Sequence, residues 1–291
     1  MIDEATMMKQ VKDDGLATDY PDWLYDFAAE ACEGVQGLEN VEAADIALFH
    51  ERGYLVVHDA FSREEVENGR SGLVDLINGA APDFKRIQYE NVMAEQLATL
   101  TNETRQDAVR KLFYFVEYDE RCRSLAYHPA LLSVVRQLIG ESEIDMFQDM
   151  ALIKPPRIGR EKPWHQDMAY FNLPLSATVV GVWIALDEAT PENGCMMVIP
   201  GSHKQGAMLH FKRRDWQLCD TDVMNDGAVA VPLRPGSCLL FHGLIHHGTP
   251  ANRSEKRRRA MQFHYRASSV VEKDEAHRLA HFGSDGTGAT C

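Results

Sequence analysis

The run WHQDMAYF, residues 164–171, sets a histidine and an aspartate one residue apart among aromatic side chains. In an extended chain, side chains two apart lie on one face. His165 and Asp167 therefore converge on one point, and Gln166 turns away. An imidazole and a carboxylate are part of a 2-His-1-carboxylate set, which holds Fe(II) and leaves positions open for a bidentate co-substrate and dioxygen. Taken alone the pair is a weak signal, because 12 histidines and 44 acidic residues make chance matches unsurprising. The plain alternative is a polar strand end in which His165 is a hydrogen-bonding residue.

A third ligand has to come from elsewhere in the chain. The segment LLFHGLIHHGTPANRSEKRRRAMQFHYR, residues 239–266, holds a β-rich run, a histidine at 246 or 247, a Gly/Pro turn and a strand opening with three arginines. A keto diacid such as 2-oxoglutarate chelates a metal through its keto-acid end. Its far carboxylate then needs a fixed bidentate cation, a role that suits Arg better than Lys. Arg258 lies 11 residues after His247, with Arg257 and Arg259 as alternatives. A His and an Arg on neighbouring antiparallel strands joined by a turn would bracket such a molecule. Alternation along the strand gives Arg258, Ala260, Gln262 and His264 one polar face, and Arg259, Met261, Phe263 and Tyr265 the other.

Together these segments resemble the phytanoyl-CoA dioxygenase family of Fe(II)- and 2-oxoglutarate-dependent oxygenases. ALIKPP precedes the site and PWHQDMAYF carries the first two ligands. VVGVWIALDEATPENGCMMVIPGSHK and RPGSCLLFHGLIHHGTPANRSEKRRRA are similar to the family's strand pair and distal-ligand segment. The resemblance spans about residues 45–268 and is strongest over 146–266. It implies iron ligands His165, Asp167 and His247; His247 is preferred to His246 because Gly248 and Thr249 follow it. It implies Arg258 as the co-substrate arginine, Trp183 as a pocket-lining residue, and Lys111 as an upstream cation. Gln148, on the strand before the site, is a further binding candidate, inward-facing if Met146 and Met150 are. The implied activity is dioxygenase hydroxylation of an aliphatic C–H in a small-molecule substrate, releasing succinate and CO2, with Fe(II), 2-oxoglutarate and O2 consumed or held. The present Asp167 favours oxygenation over halogenation. The alternatives are a non-catalytic jelly-roll binding protein, which loss of a ligand or of the arginine would favour, and a zinc hydrolase, which gives Arg258 no role.

These residues need rigid elements behind them. From about residue 144, short β-rich runs alternate with Gly/Pro turns, as expected of an all-β sandwich or barrel. Upstream, residues 43–52 suit a helix stopped by Gly53. Ser62 and Glu65 form a capping-box signature for a helix to about Ile77, and HPALLSVVRQLIG reads as a third helix. The expected architecture is mainly β with flanking helices: a double-stranded β-helix (jelly-roll, cupin-like) core, covered on one face by N-terminal helices. We divide residues 1–291, one oxygenase domain, into an extension (1–42), a mostly helical support (43–143), the core (144–268) and a flexible tail (283–291). In the extension, YPDWLYDFAAEACEG suits a short helix with Trp23, Leu24 and Phe27 on one side; residues 79–108 suit a mobile cover.

Composition narrows the rest. A formal charge of −14, from 44 acids and 30 bases, opposes nucleic-acid binding, which needs a basic face. No run approaches the roughly 18–20 apolar residues of a membrane span. The acidic start lacks a secretory signal pattern, and six cysteines without C-x-x-C spacing suggest neither a zinc cluster nor a disulfide framework. A cytoplasmic setting follows as the expectation. His203, His242 and His246 read as turn or packing residues, Asp187, Glu188 and Glu192 as turn acids, and the arginine cluster as a solvated turn with one functional member. The sequence leaves substrate and oligomeric state open.

Overall fold

The computed structural model describes residues 19–223 and 227–283. Six helices are present among them: α1 (Ala43–Arg52), α2 (Arg63–Ile77), α3 (Asn102–Arg105), α4 (Glu120–Ala126), α5 (Pro129–Ile139) and α6 (Glu275–Phe282). The three helices read from the sequence form where their punctuation places them. Gly53 and Gly140 close α1 and α5 in the left-handed conformation, with φ of 83° and 81°. Ser62 and Glu65 cap α2 reciprocally.

The strands are β1 (Ala29–Glu30), β2 (Val35–Gln36), β3 (Tyr54–His58), β4 (Ile87–Tyr89), β5 (Val109–Phe113), β6 (Ile144–Lys154), β7 (Lys162–His165), β8 (Val180–Ala185), β9 (Met196–Val198), β10 (His210–Lys212), β11 (Trp216–Leu218), β12 (Val229–Val231), β13 (Cys238–His242), β14 (His247–Thr249) and β15 (Arg258–Ala267). They build an eight-stranded sheet, β2-β3-β13-β8-β15-β6-β5-β4, a five-stranded sheet, β1-β12-β9-β14-β7, and the β10-β11 hairpin. One apolar layer, with Trp183, Ala260, Val198 and Leu239, fills the space between the two larger sheets. A second packs the opposite face of the eight-stranded sheet against the helices, through Val182, Met261, Phe263, Leu73 and Leu131. Alternation along β8 and β15 supplies both layers from the same strands. This is the jelly-roll expectation, with helices on one face.

Two expectations change. Residues 22–25 form a single 3-10 turn, not a longer helix, and there Leu24 and Tyr25 are buried while Trp23 and Phe27 are 44% and 40% exposed. The extension then adds edge strands: β1 runs parallel to β12, and β2 parallel to β3. Two-residue strands carry no periodicity to read. Cys219 is disulfide-bonded, against the expectation drawn from cysteine spacing, while Cys32, Cys122, Cys195 and Cys238 are free. The segment 79–108 holds β4, a 3-10 stretch over Asn91–Thr99 and α3. The expected tail, residues 283–291, lies outside the described residues apart from Gly283.

Candidate metal centre

β7 ends at His165, and Asp167 opens a 3-10 turn, Asp167–Tyr170. The turn is held by Gln166. Its backbone N–H donates to His210 Nε2 at 3.0 Å, and its amide bonds the backbone of Gly206, Leu244 and Met208. The residue that turns away from the site thus fastens the loops around it. His247 opens β14 and pairs with His165 across the antiparallel β7–β14 ladder.

The three side chains meet. Asp167 Oδ1 lies 3.3 Å from His165 Nε2 and 3.6 Å from His247 Nε2. Ligand atoms of all three fall within 4.8 Å of one another, and all three residues are buried. His165 Nδ1 donates to the Pro163 carbonyl at 2.7 Å, and His247 Nδ1 to the Ile245 carbonyl at 3.1 Å. A carbonyl only accepts, so each ring carries its proton on Nδ1 and presents a bare Nε2, as a metal requires. Burial, with the neighbouring His247 and Lys162, pushes His165 down to about 3; burial lowers His247 as well. Burial alone would raise Asp167, but the surrounding imidazoles, His247 and His264 first, hold it well below the usual carboxylate range. Two neutral nitrogens and one anionic oxygen are the donor set of a 2-His-1-carboxylate site.

Across the core, cross-strand register fixes what faces this triad. On β15, Arg258, Ala260, Gln262 and His264 pair with Lys154, Leu152, Met150 and Gln148 of β6. Trp183 of β8 pairs with Gln262, and Lys111 of β5 with Leu152. Paired residues share a face, and Gln262 and His264 touch Asp167, so this face looks onto the triad. Gln148 shares it with Met150 but not with Met146, which packs in the helix-side layer. The register shifts between His264 and Tyr265, and that irregularity breaks the alternation assumed from the sequence.

Arg258 is 2% exposed. Its only hydrogen bond among the described residues runs from Nη1 to the Leu152 carbonyl at 3.1 Å, and no carboxylate pairs with it. The guanidinium lies 5.4 Å from the Trp183 ring centre, and burial lowers it to about 10. Among the described residues, Arg258 Nε, Trp183 Nε1 and Thr249 Oγ1 are buried without a partner. A buried cation and unpartnered donors cost free energy unless a ligand satisfies them, and a carboxylate does. The alternatives do not share this position: Arg257 pairs with Asp107, and Arg259 with Asp187. The structure corrects one detail. His247 and Arg258 are not on neighbouring strands of one sheet; β14 and β15 belong to facing sheets, so the two residues oppose each other across the core.

Lys111 is half-buried beside Lys162, Arg110 and Asp215, and burial with those two cations pushes its amine down to about 7. Lys162, Asp215 and Tyr170 form a linked group: the Lys162 amine donates to Tyr170 Oη at 2.8 Å and to Asp215 at 2.7 Å. Sequence reading assigned neither contact, and the β10–β11 loop that supplies Asp215 is remote in the chain. About 20 Å of strand, six residues, separates Gln148 from the level of Arg258.

The sequence model of the phytanoyl-CoA dioxygenase family matches residues 49–260. The chain belongs to this family. Phytanoyl-CoA dioxygenase domain-containing protein 1 of Danio rerio is 29% identical over 256 residues, covering 76% of this chain and 88% of that one. A phytanoyl-CoA dioxygenase of Arabidopsis thaliana is 28% identical over 254 residues, covering 78% and 87%. Among solved structures, EctD from S. alaskensis, with 2-oxoglutarate and 5-hydroxyectoine, aligns at a TM-score of 0.64 and 25% identity, over 89% of this chain and 85% of that one. The non-heme alpha ketoglutarate dependent carbocyclase SnoK shares the fold at a TM-score of 0.64 and 22% identity, over 87% and 97%. Family membership and the buried donor set make this chain an Fe(II)- and 2-oxoglutarate-dependent oxygenase. No helix among the described residues is long and apolar enough to cross a membrane.

Proposed function

We propose that this oxygenase hydroxylates an aliphatic C–H of a small molecule: a lipid-like acid, an acyl thioester or a natural-product intermediate. The observation that carries the reading is a buried His165–Asp167–His247 donor set facing, across the core, a buried guanidinium that has no acid of its own among the described residues. In this reading His165, Asp167 and His247 hold the ferrous ion. Arg258 takes the far carboxylate of 2-oxoglutarate, against Trp183, with Lys111 adding charge. The bound iron, co-substrate and dioxygen supply the oxidising chemistry and release succinate and CO2.

The chain's own residues bind, orient and exclude water. Trp183, Phe241 and Ile245 give the centre an apolar surround in this reading, Phe241 lying 5.0 Å from the His247 ring. Met168, Phe171 and Leu173, with Phe147 and Tyr170 against them, form the apolar wall on the Asp167 side, and we place the substrate there. Its distance from Arg258 puts Gln148 on that wall too, next to a cavity of about 180 Å³ lined by Tyr114, Tyr127, Phe147 and Gln148. We treat residues 1–291 as one oxygenase domain and infer a cytoplasmic setting.

The test is direct. Anaerobic protein with Fe(II) and 2-oxoglutarate is expected to develop a weak visible charge-transfer band, and admitting oxygen to give succinate. Candidate substrates, acyl thioesters and their free acids among them, are then screened for stimulation of succinate release and for a hydroxylated product. Succinate release without hydroxylation by every stimulating compound would remove the hydroxylase part of the reading.

A further inference from the structure

The carboxylate of Asp167 has two oxygens, and only Oδ1 faces the histidines of the triad. Oδ2 is taken from the other sheet: His264 Nε2 lies 2.7 Å from it, and the Gln262 amide donates to it at 3.3 Å. We propose that His264, assisted by Gln262, is the positioning residue that fixes Asp167 as a one-oxygen ligand and so sets the affinity of the metal centre. The inference rests on the assignment of His165, Asp167 and His247 as the metal ligands.

Three features argue that His264 is there for this contact and not for packing. Its ring is fully buried among aromatic rings: Phe171 at 5.0 Å, Phe147 at 6.1 Å and Phe241 at 6.1 Å between centres. A phenylalanine would fill such a site without polar cost. Among the described residues His264 Nδ1 is buried with no partner, a polar cost that a packing residue need not carry. Secondly, Asp167 sits in a turn at the end of a strand, where the ladder no longer fixes its side chain. An ionised carboxylate with one oxygen unbonded is free to rotate or to chelate through both oxygens. Thirdly, His264 is on β15, inside the eight-stranded sheet, with β6 and β8 on either side. It therefore ties Asp167 to the sheet that carries Arg258, and registers the metal ligand against the co-substrate cation.

Outer residues that hydrogen-bond metal ligands typically contribute 10- to 100-fold in affinity. The test is anaerobic titration of the full chain with Co(II), followed by its visible d–d absorption, alongside circular dichroism to confirm folding. His264→Leu is expected to bind Co(II) roughly 10- to 100-fold more weakly and with a changed d–d envelope, because Asp167 becomes free to offer both oxygens. His264→Gln, whose amide can donate to the same oxygen, is expected to recover most of the affinity and the wild-type envelope. Gln262→Leu, losing the longer contact, is expected to show the smaller loss. Wild-type affinity and spectrum in His264→Leu, or equal losses in the Leu and Gln variants, would overturn the proposal while leaving the metal assignment intact. Absence of one-to-one Co(II) binding by the wild-type chain would instead remove the assignment on which it rests.

Discussion

His165 and His247 stand opposite one another across the β7–β14 ladder, their ring centres 4.2 Å apart and their planes tilted by 47°. Each anchors its Nδ1 on the carbonyl two residues upstream. The ladder therefore fixes both rings and both tautomers before any metal arrives. What remains adjustable is the carboxylate.

The ligand roles are tested by removing the anion. Asp167→Ala leaves two neutral rings in a buried space. Expected outcomes are loss of iron retention after anaerobic reconstitution and loss of 2-oxoglutarate turnover, read as iron content and succinate. Full succinate production by this variant would contradict the assignment.

Among the described residues Arg258 is buried without an acid partner. Replacing an uncompensated buried charge by an apolar side chain need not destabilise a fold. Arg258→Met is therefore expected to raise the KM for 2-oxoglutarate by roughly 30- to 150-fold, the roughly 2–3 kcal/mol of a charged hydrogen bond, with Tm unchanged or higher. A lowered Tm with an unchanged KM would show a structural arginine.

Lys111 titrates near 7 because burial, then Lys162 and Arg110, disfavour its charge. The amine is charged below that pH and neutral above it. In the proposed role, the KM for 2-oxoglutarate is expected to rise several-fold between pH 6 and pH 8.5, while Arg258 stays charged. Lys111→Met is expected to flatten this profile. The folded chain also gives up this proton at lower pH than the unfolded one, whose Lys titrates near 10.4. Stability of the ligand-free protein is thus expected to rise with pH between about 7 and 10, a slope missing from Lys111→Met in denaturant titrations.

The N-terminal extension braces the metal strand from outside. Trp164, next to His165, donates from Nε1 to the Leu24 carbonyl at 3.0 Å and stacks on Tyr25, whose hydroxyl donates to Glu161 at 2.6 Å. Removing residues 1–33 deletes this brace and β1. The expected result is a lower Tm together with weaker Co(II) binding. Retention of wild-type metal affinity would show that the extension serves stability alone.

Much of this site was legible in the sequence because its determinants are local or alternate with period two. H-x-D converges because Gln166, between the two residues, is extended, although Asp167 itself lies past the strand end, and the helix caps at Ser62, Gly53 and Gly140 are chemical punctuation. The polar face 258–260–262–264 already marked His264 and Gln262 as inward residues, although not their contact with Asp167. Gln148 was misjudged relative to Met146 because a register irregularity leaves no mark in composition.

The sequence by itself determined the residue types of a metal site, the β-rich second half and the helices that cover it, since these depend on spacing and on side-chain chemistry within a few residues. Long-range packing was needed to show which arginine lacks an acid among the described residues, which oxygen of Asp167 faces the two histidines, and that His247 and Arg258 face each other from different sheets. Those facts depend on strand order and register, which are set by burial across the whole core and not by any segment within it.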